Sequence, residues 1–288
     1  TIGQGTGKSI TASQRDAAGN TGTSPAFRFA VDTTAPTTAA AFTAITDNVG
    51  AIQGTLAAGA FTDDSTPSFG GTISAFLATG ENLSIFNGTT LLGNATVNNA
   101  NSTWSFIPTT ALANGFYAVT ARVADAAGNL APASTVQRFS IDSTANQKIG
   151  DANANLLTAT TAKDVITGLD GVDTFKFTAL SSSTLANFDR ITDFSIGTDI
   201  LDGPTAVAAA NINKLGAVSA LGATSISTVL TASTFLANRA ATFSYADPSG
   251  ISRSFIALNN GTAGYQAGAD AIIEITGYTG SLDSLQVI

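Results

Sequence analysis

One stretch of the chain occurs twice. SITASQRDAAGNTGTSPAFRFAVDTTAP, from Ser9 to Pro36, returns as AVTARVADAAGNLAPASTVQRFSIDSTAN, from Ala118 to Asn146. Asp16 and Asp125, which open the two Asp-Ala-Ala-Gly-Asn motifs, are 109 residues apart, and the closing Asp32 and Asp142 are 110 apart. A single inserted residue therefore separates two copies of one unit, and a period of this length is that of one β-sandwich.

The residues between the copies support that reading. Short alternating segments bounded by turn residues occur at 67–74, 82–87, 90–97, 103–107, 116–124 and 136–141, with no helical periodicity among them. Six or seven short strands at this spacing predict an Ig-like sandwich over 33–142, and Trp104 is expected in its core. Residues 1–32 then form only the last strands of a preceding copy. Such a piece cannot bury its own face, so it is expected to be frayed or covered by another chain. With no initiator Met and no signal segment at Thr1, the chain is expected to be a fragment or processed product.

Composition narrows the chemistry. The 288 residues carry a net charge of −8, only 11% are charged, and there is no Cys, His or Met. Disulfides, thiolate or imidazole metal sites and Cys or His catalysis are excluded. The acids are almost all Asp, since Glu81 and Glu274 are the only glutamates. Without a basic block to neutralise phosphates, nucleic acid is not an expected partner. No apolar run is long enough for a membrane span. The Asp clusters lie in Gly-rich turns, where ionised carboxylates are favoured over neutral acids, so no enzyme is expected. Short Asp side chains in loops instead suit a hard, oxygen-preferring cation such as calcium.

After Asp142 the texture changes. Residues 143–149 read as a linker and 150–288 as a separate C-terminal domain. From Gly150 three nine-residue windows follow without a gap: GDANANLLT, ATTAKDVIT and GLDGVDTFK. Each has Asn or Asp at its sixth place (Asn155, Asp164, Asp173) and an apolar residue at its eighth (Leu157, Ile166, Phe175). The nonapeptide of calcium-binding parallel β-rolls, G-G-x-G-x-D-x-U-x, has this form, with U pointing inward. Stacked turns lie two repeats apart, which sets Asn155 opposite Asp173. The third window, with Gly168, Asp170, Gly171 and Asp173, fits best. The other reading is a decayed roll that keeps only its inward apolar stripe. Beyond it, FDRITDFSIGTDILDG places Asp189, Asp193, Asp199 and Asp202 around Ile191, Phe194, Ile200 and Leu201. One amphipathic helix is expected over 225–238, a hairpin of 241–247 with 253–258 across Pro248-Ser249-Gly250, and strands at 271–276 and 282–288.

These motifs carry a family resemblance. Thr-Asp-Asn-Val-Gly at 46–50, Thr-Asp-Asp-Ser-Thr-Pro at 62–67, Trp-Ser-Phe at 104–106, the two Asp-Ala-Ala-Gly-Asn turns and Val-Asp-Thr-Thr-Ala-Pro at 31–36 resemble the bacterial Ig-like repeats of large surface proteins and adhesins. DRITDFSIGTDILDG resembles the segment that follows the calcium roll in RTX proteins, and 255–288 is similar to the bluetail-type C-terminal domain of cyanobacterial surface proteins. The resemblance implies export through a type I secretion machinery with an uncleaved C-terminal address. It departs from the family in the poor glycine content of the first two nonapeptides and in Asn146, where a proline would stand.

The fold expected is thus mainly β: an Ig-like sandwich with a partial preceding copy, then a short β-roll-like, calcium-type domain with one or two helices. Candidate calcium ligands are Asn155, Asp164, Asp170, Asp173, Asp189, Asp193, Asp199 and Asp202 in the roll. At the module junction they are Asp32, Asp47, Asp63 and Asp64, unless these simply make the turns that Asp favours. Asp16 and Asp125 are read as turn residues bonded to their own backbone, and Tyr245, Tyr265 and Tyr278 as ordinary packing. The function expected is a non-enzymatic, extracellular structural or assembly role with calcium-dependent folding and self-association or pairing with other surface components. The alternative is an adhesin module that recognises a glycan or a cell-surface partner.

Overall fold

The computed structural model describes residues 2–51, 53–248 and 250–288. The chain is mainly β, as expected, and divides into two compact units that do not follow chain order. The first comprises Thr1–Ile45, Ser68–Thr109 and Ala118–Gln137, and the second Thr46–Pro67, Thr110–Tyr117 and Arg138–Ile288.

In the first unit the strands Ser68–Ile73, Thr103–Phe106, Thr90–Asn98, Asn82–Asn87 and the 118–124 part of Gly115–Ala124 pair in that order as antiparallel neighbours. Alternation decides which face is buried. Val119, Ala121 and Val123 have no exposed surface, while Ala118, Thr120 and Arg122 between them are only half-buried. Trp104 is 3% exposed, donates its indole N–H to the Thr72 carbonyl and meets Phe42 edge to face at 5.0 Å. Gly71 permits this approach, since a Cβ there would lie 2.4 Å from the Trp104 ring.

The partial copy at the N-terminal end is ordered as two antiparallel pairs, Gly5–Ile10 with Phe27–Val31 and Ser13–Arg15 with Thr21–Thr23. Its apolar side chains remain uncovered: Ile10 is 54% and Phe27 66% exposed, whereas Val119, the counterpart of Ile10, is fully buried. The two Asp-Ala-Ala-Gly-Asn turns are superimposable in their bonding. Asn20 and Asn129 each donate a backbone N–H to one oxygen and a side-chain N–H to the other oxygen of Asp16 and Asp125, at 2.8–2.9 Å. This is the side-chain-to-backbone turn expected of them.

In the second unit a parallel roll begins at Asn146. Asn146–Ile149 pairs with Asp164–Thr167, which pairs with Asp189–Ile191, all parallel. A second sheet runs Leu156–Thr158, Thr174–Lys176, Ile200–Asp202, also parallel. Leu156 lies opposite Thr174, so the first coil has the 18-residue rise expected from two nonapeptides. Between the sheets lie Ile166, Phe175, Ile191, Phe194 and Leu201, all at 0–1% exposure. The inward apolar stripe of the nonapeptides is therefore the core.

The first sheet continues from Asp189–Ile191 to Ala271–Glu274 (parallel), then to Ser252–Leu258 and Ala240–Ala246 (antiparallel), and ends with Ile212–Val218. The expected hairpin is present, with Ala240 opposite Leu258 and Ala246 opposite Ser252; Ser249 of its turn lies outside the described residues.

Two expectations are corrected. The segment 225–238 is not one helix: only Ala223–Ile226 is helical, and turns follow. Its hydroxyls bond nearby carbonyls, Ser227 to Ala223, Thr228 to Ser225 and Thr234 to Val229, an alternative that competes with helix propagation. Ile226, Leu230 and Phe235 still enter the core. The segment 282–288 is not a strand either. It meets the roll through isolated bridges of Val287 to Leu201 and Val207 and a bond from Gly203 N–H to the Ile288 carbonyl, and it buries Leu285 and Val287.

Candidate functional site

The roll brings most of the candidate cation ligands into two vertical ladders. On one, Asp173 accepts the backbone N–H of Asn155 at 2.9 Å, and Asp199 accepts that of Asp173 at 3.1 Å. Asp199 uses its other oxygen for Ser195 N–H at 2.8 Å. On the other, Asp164 accepts from the Asn146 side chain at 3.2 Å and from Thr160, while its own N–H donates to Asp189 at 2.8 Å. Asp193 receives Gly168 N–H at 3.0 Å and Leu169 N–H at 2.8 Å. The small residues make the contacts possible: a Cβ on Gly150 would lie 2.0 Å from the Asn155 amide oxygen, and one on Gly168 2.3 Å from the Asp173 carboxylate.

By themselves these carboxylates do not converge into a calcium cage. Calcium requires six to eight oxygens converging on one point. Here the carboxylates are spread along the ladders, and Asp164, Asp173, Asp189, Asp193 and Asp199 each accept at least one backbone N–H. Asp170 is exposed, and Asp202 pairs with Lys176. Among the described residues no group of three or more acids is placed to hold a metal ion.

The second proposed cluster divides between the units. Asp32 lies in the first, where it accepts Thr34 N–H at 3.0 Å. Asp47, Asp63 and Asp64 lie in the second. Asp47 accepts Val49 N–H and the Thr62 hydroxyl; Asp64 accepts the N–H groups of Asn48 and Thr66. Both buried acids thus make the turns that Asp favours. Asp63 differs. Its Oδ1 is buried without a partner, and burial, then the neighbouring Asp47, pushes its carboxyl up from the ordinary value.

Sequence reasoning missed a buried charge cluster in the second unit. Arg190 donates Nε and Nη2 to one oxygen of Glu274, both at 2.9 Å. Arg253 donates Nη1 to the other oxygen at 3.0 Å, Nε to Asp247 at 2.7 Å and Nη2 to the Ser140 hydroxyl at 3.2 Å. Burial alone would raise the Glu274 carboxyl, but the two guanidinium groups outweigh it and hold it below its ordinary value. Phe61 lies over both cations, its ring centre 2.8 Å from Arg190 Cζ and 4.2 Å from Arg253 Cζ. The available signal was the charges interrupting otherwise apolar strands: Glu274 in AIIEIT and Arg253 beside SFIAL.

Beside this cluster, wholly within the second unit, opens a cleft of about 340 Å³. Residues 53–63 form one wall. The outward face of the parallel sheet forms the other, with Gln147, Thr167, Arg190, Thr192 and Thr276.

The fold defines a modular β protein in which a sandwich repeat accompanies a parallel roll, and the comparisons with known proteins agree with its sandwich part. Residues 39–143 match the family model described as a bacterial Ig-like domain. Domains of that family are typical of surface proteins. No curated protein matches the chain. Among solved structures it is similar to CopC from Methylosinus trichosporium OB3b, at 19% identity over 30% of this chain and 85% of that one, with a TM-score of 0.22. It is also similar to a family 28 exopolygalacturonase from Yersinia enterocolitica, at 12% identity over 61% of this chain and 43% of that one, again with a TM-score of 0.22. At that score neither likeness bears on the fold. Among the described residues no helix is long and apolar enough to cross a membrane.

Proposed function

We propose that this chain is a structural segment of a secreted bacterial surface protein: an Ig-like spacer ending in a solenoid that carries the export address. The Ig-like match over 39–143, together with the repeat of Ser9–Pro36 at Ala118–Asn146, is the observation that carries the reading. An array of sandwiches extends a protein from a surface at little cost in charge or chemistry, and the low-charge, hydroxyl-rich composition suits that role.

Export by a type I machinery would read the C-terminal residues before folding. Once the chain is outside, burial of Leu285 and Val287 in the roll withdraws the address from further contact. The test is export of the tagged natural protein from its host. Removing 150–288 should leave it inside the cell, and restoring that segment should return a tag accessible to added protease on intact cells. Export of the truncated protein would remove the C-terminal address from this reading.

A further inference from the structure

The outward face of the sheet that runs from Asn146–Ile149 to Ile212–Val218 is finished by residues that precede the roll in sequence. Phe61 covers the Arg190 and Arg253 guanidinium groups, the Phe116 ring centre lies 4.9 Å from Arg253 Cζ, and Ser140, 113 residues from Arg253, accepts its Nη2. Phe61 and Thr62 run parallel to Ser140 and Ile141. Gly59 N–H donates to the Arg138 carbonyl at 2.8 Å, Ser140 N–H to that of Ala60 at 2.9 Å, and Asp142 N–H to that of Thr62 at 2.8 Å. Further contacts tie this strap to the roll itself. Gln147 hydrogen-bonds the Asp63 carboxylate, and Lys163 pairs with Asp142. Gly59, with φ +79°, passes so near the hairpin that a Cβ there would lie 3.1 Å from the Ile251 side chain.

Neither part is complete alone. The strap has no core of its own: residues 53–59 are exposed or half-buried, and its strands Gly54–Thr55 and Phe61–Thr62 are two residues long, too short to persist by themselves in water. The sheet beneath holds Arg190, Arg253 and Glu274 at 3%, 1% and 0% exposure, and a parallel sheet is ordinarily covered on both faces. Without Phe61, Phe116 and Ser140, Arg253 loses a hydrogen bond, and both cations lose rings that keep water from them. Ordering of the strap and drying of the ion cluster therefore require each other.

We infer that residues 53–63, 114–116 and 138–142 form an obligate cover of the C-terminal sheet, so that the roll's folding unit takes in part of the sandwich sequence and does not begin at 143. Cover and sheet open and close together. This is a property of the second unit and does not depend on the spacer reading or on the export route.

The test is native-state hydrogen exchange of the whole chain at low urea, read amide by amide by NMR. The N–H groups of Gly59, Ser140 and Asp142 should open with the same urea dependence as those of Ile272 and Ile275 in the sheet, and apart from those of Ile73 and Ala131 in the first unit. Phe61→Ala should speed exchange of all five second-unit amides by one common factor, about tenfold or more, and leave Ile73 and Ala131 as they were. Cover amides that exchange together with Ile73 and Ala131 would assign the cover to the first unit and overturn the inference. So would cover amides that exchange ahead of both sets, as a loose flap does, or one opening shared by all seven. A folded Phe61→Ala variant in which only Gly59, Ser140 and Asp142 exchange faster would overturn it as well. Should that variant fail to fold, the wild-type comparison decides alone.

Discussion

The carboxylate of Asp173 accepts the backbone N–H of Asn155 one coil away in the roll, at 2.9 Å, and its own N–H is accepted by Asp199 one coil further on. A side chain that sequence pattern assigns to a cation thus closes the turn above it. Burial, with the neighbouring Asp199, Asp193 and Asp151 carboxylates, holds Asp173 above its ordinary value. That crowding is the electrostatic cost of stacking acids along one ladder.

Removing Asp173 should therefore act through a hydrogen bond and not through a metal. Asp173→Ala leaves the Asn155 N–H without its acceptor and is expected to cost about 1–3 kcal/mol in urea unfolding. Asp173→Asn keeps an acceptor oxygen and removes a repelled charge, so it should lie close to wild type. A loss as large for Asn as for Ala would show that the charge itself is needed.

Calcium should leave the melting temperature unchanged. With the roll's acids accepting backbone donors and no three acids converging among the described residues, neither added calcium nor EGTA is expected to shift unfolding of the chain. A rise of several degrees with millimolar calcium, reversed by EGTA, would contradict this; linkage of that size requires a site in the folded state.

Asp189 gives the chain a pH dependence of defined sign. Burial, with Asp164 nearby, pushes its carboxyl up to about 7, and its Oδ2 is unpaired. Below the ordinary carboxyl value both folded and unfolded chains hold the proton, and nothing is lost. Between about pH 4 and 7 the unfolded chain ionises first, so the folded state loses stability as pH rises, and above 7 the loss is complete. Asp189→Asn keeps an oxygen for Asp164 N–H and removes the penalty. It should match wild type near pH 4 and exceed it by roughly 4 kcal/mol at pH 8, read from melting across that range. A difference that does not change with pH would refute the assignment.

Glu274→Gln is expected to be the most damaging of these changes. It leaves the buried Arg190 and Arg253 without their shared counter-charge, which in buried pairs costs about 3–5 kcal/mol. Urea unfolding monitored by circular dichroism should show the loss. A change under 1 kcal/mol would mean that water replaces the carboxylate.

Much of the architecture was legible because it rests on periodicity. Strand alternation located Asn82–Asn87, Gly115–Ala124 and the hairpin of Ala240–Ala246 with Ser252–Leu258 to within a residue or two, since burial on one face is written every second residue. The paired turns at Asp16 and Asp125 were legible for a local reason: the bonding partner lies four residues away. The helix over 225–238 was misread because an apolar spacing of three and four also arises from successive turns that aim at one core. There the hydroxyls of Ser227, Thr228 and Thr234 decide against the helix.

The sequence by itself determined the β class, the repeat, the 18-residue coil and the inward stripe of Ile166 and Phe175, all of which follow from short-range spacing. Only the tertiary structure decided what the acids do. Whether Asp173 faces a cation or a backbone N–H depends on a coil 18 residues away, and Arg190 meets Glu274 across 84 residues. Composition does not encode such meetings. They arise when the sheet closes, because a charge carried into the core must find its counter-charge there or be neutralised.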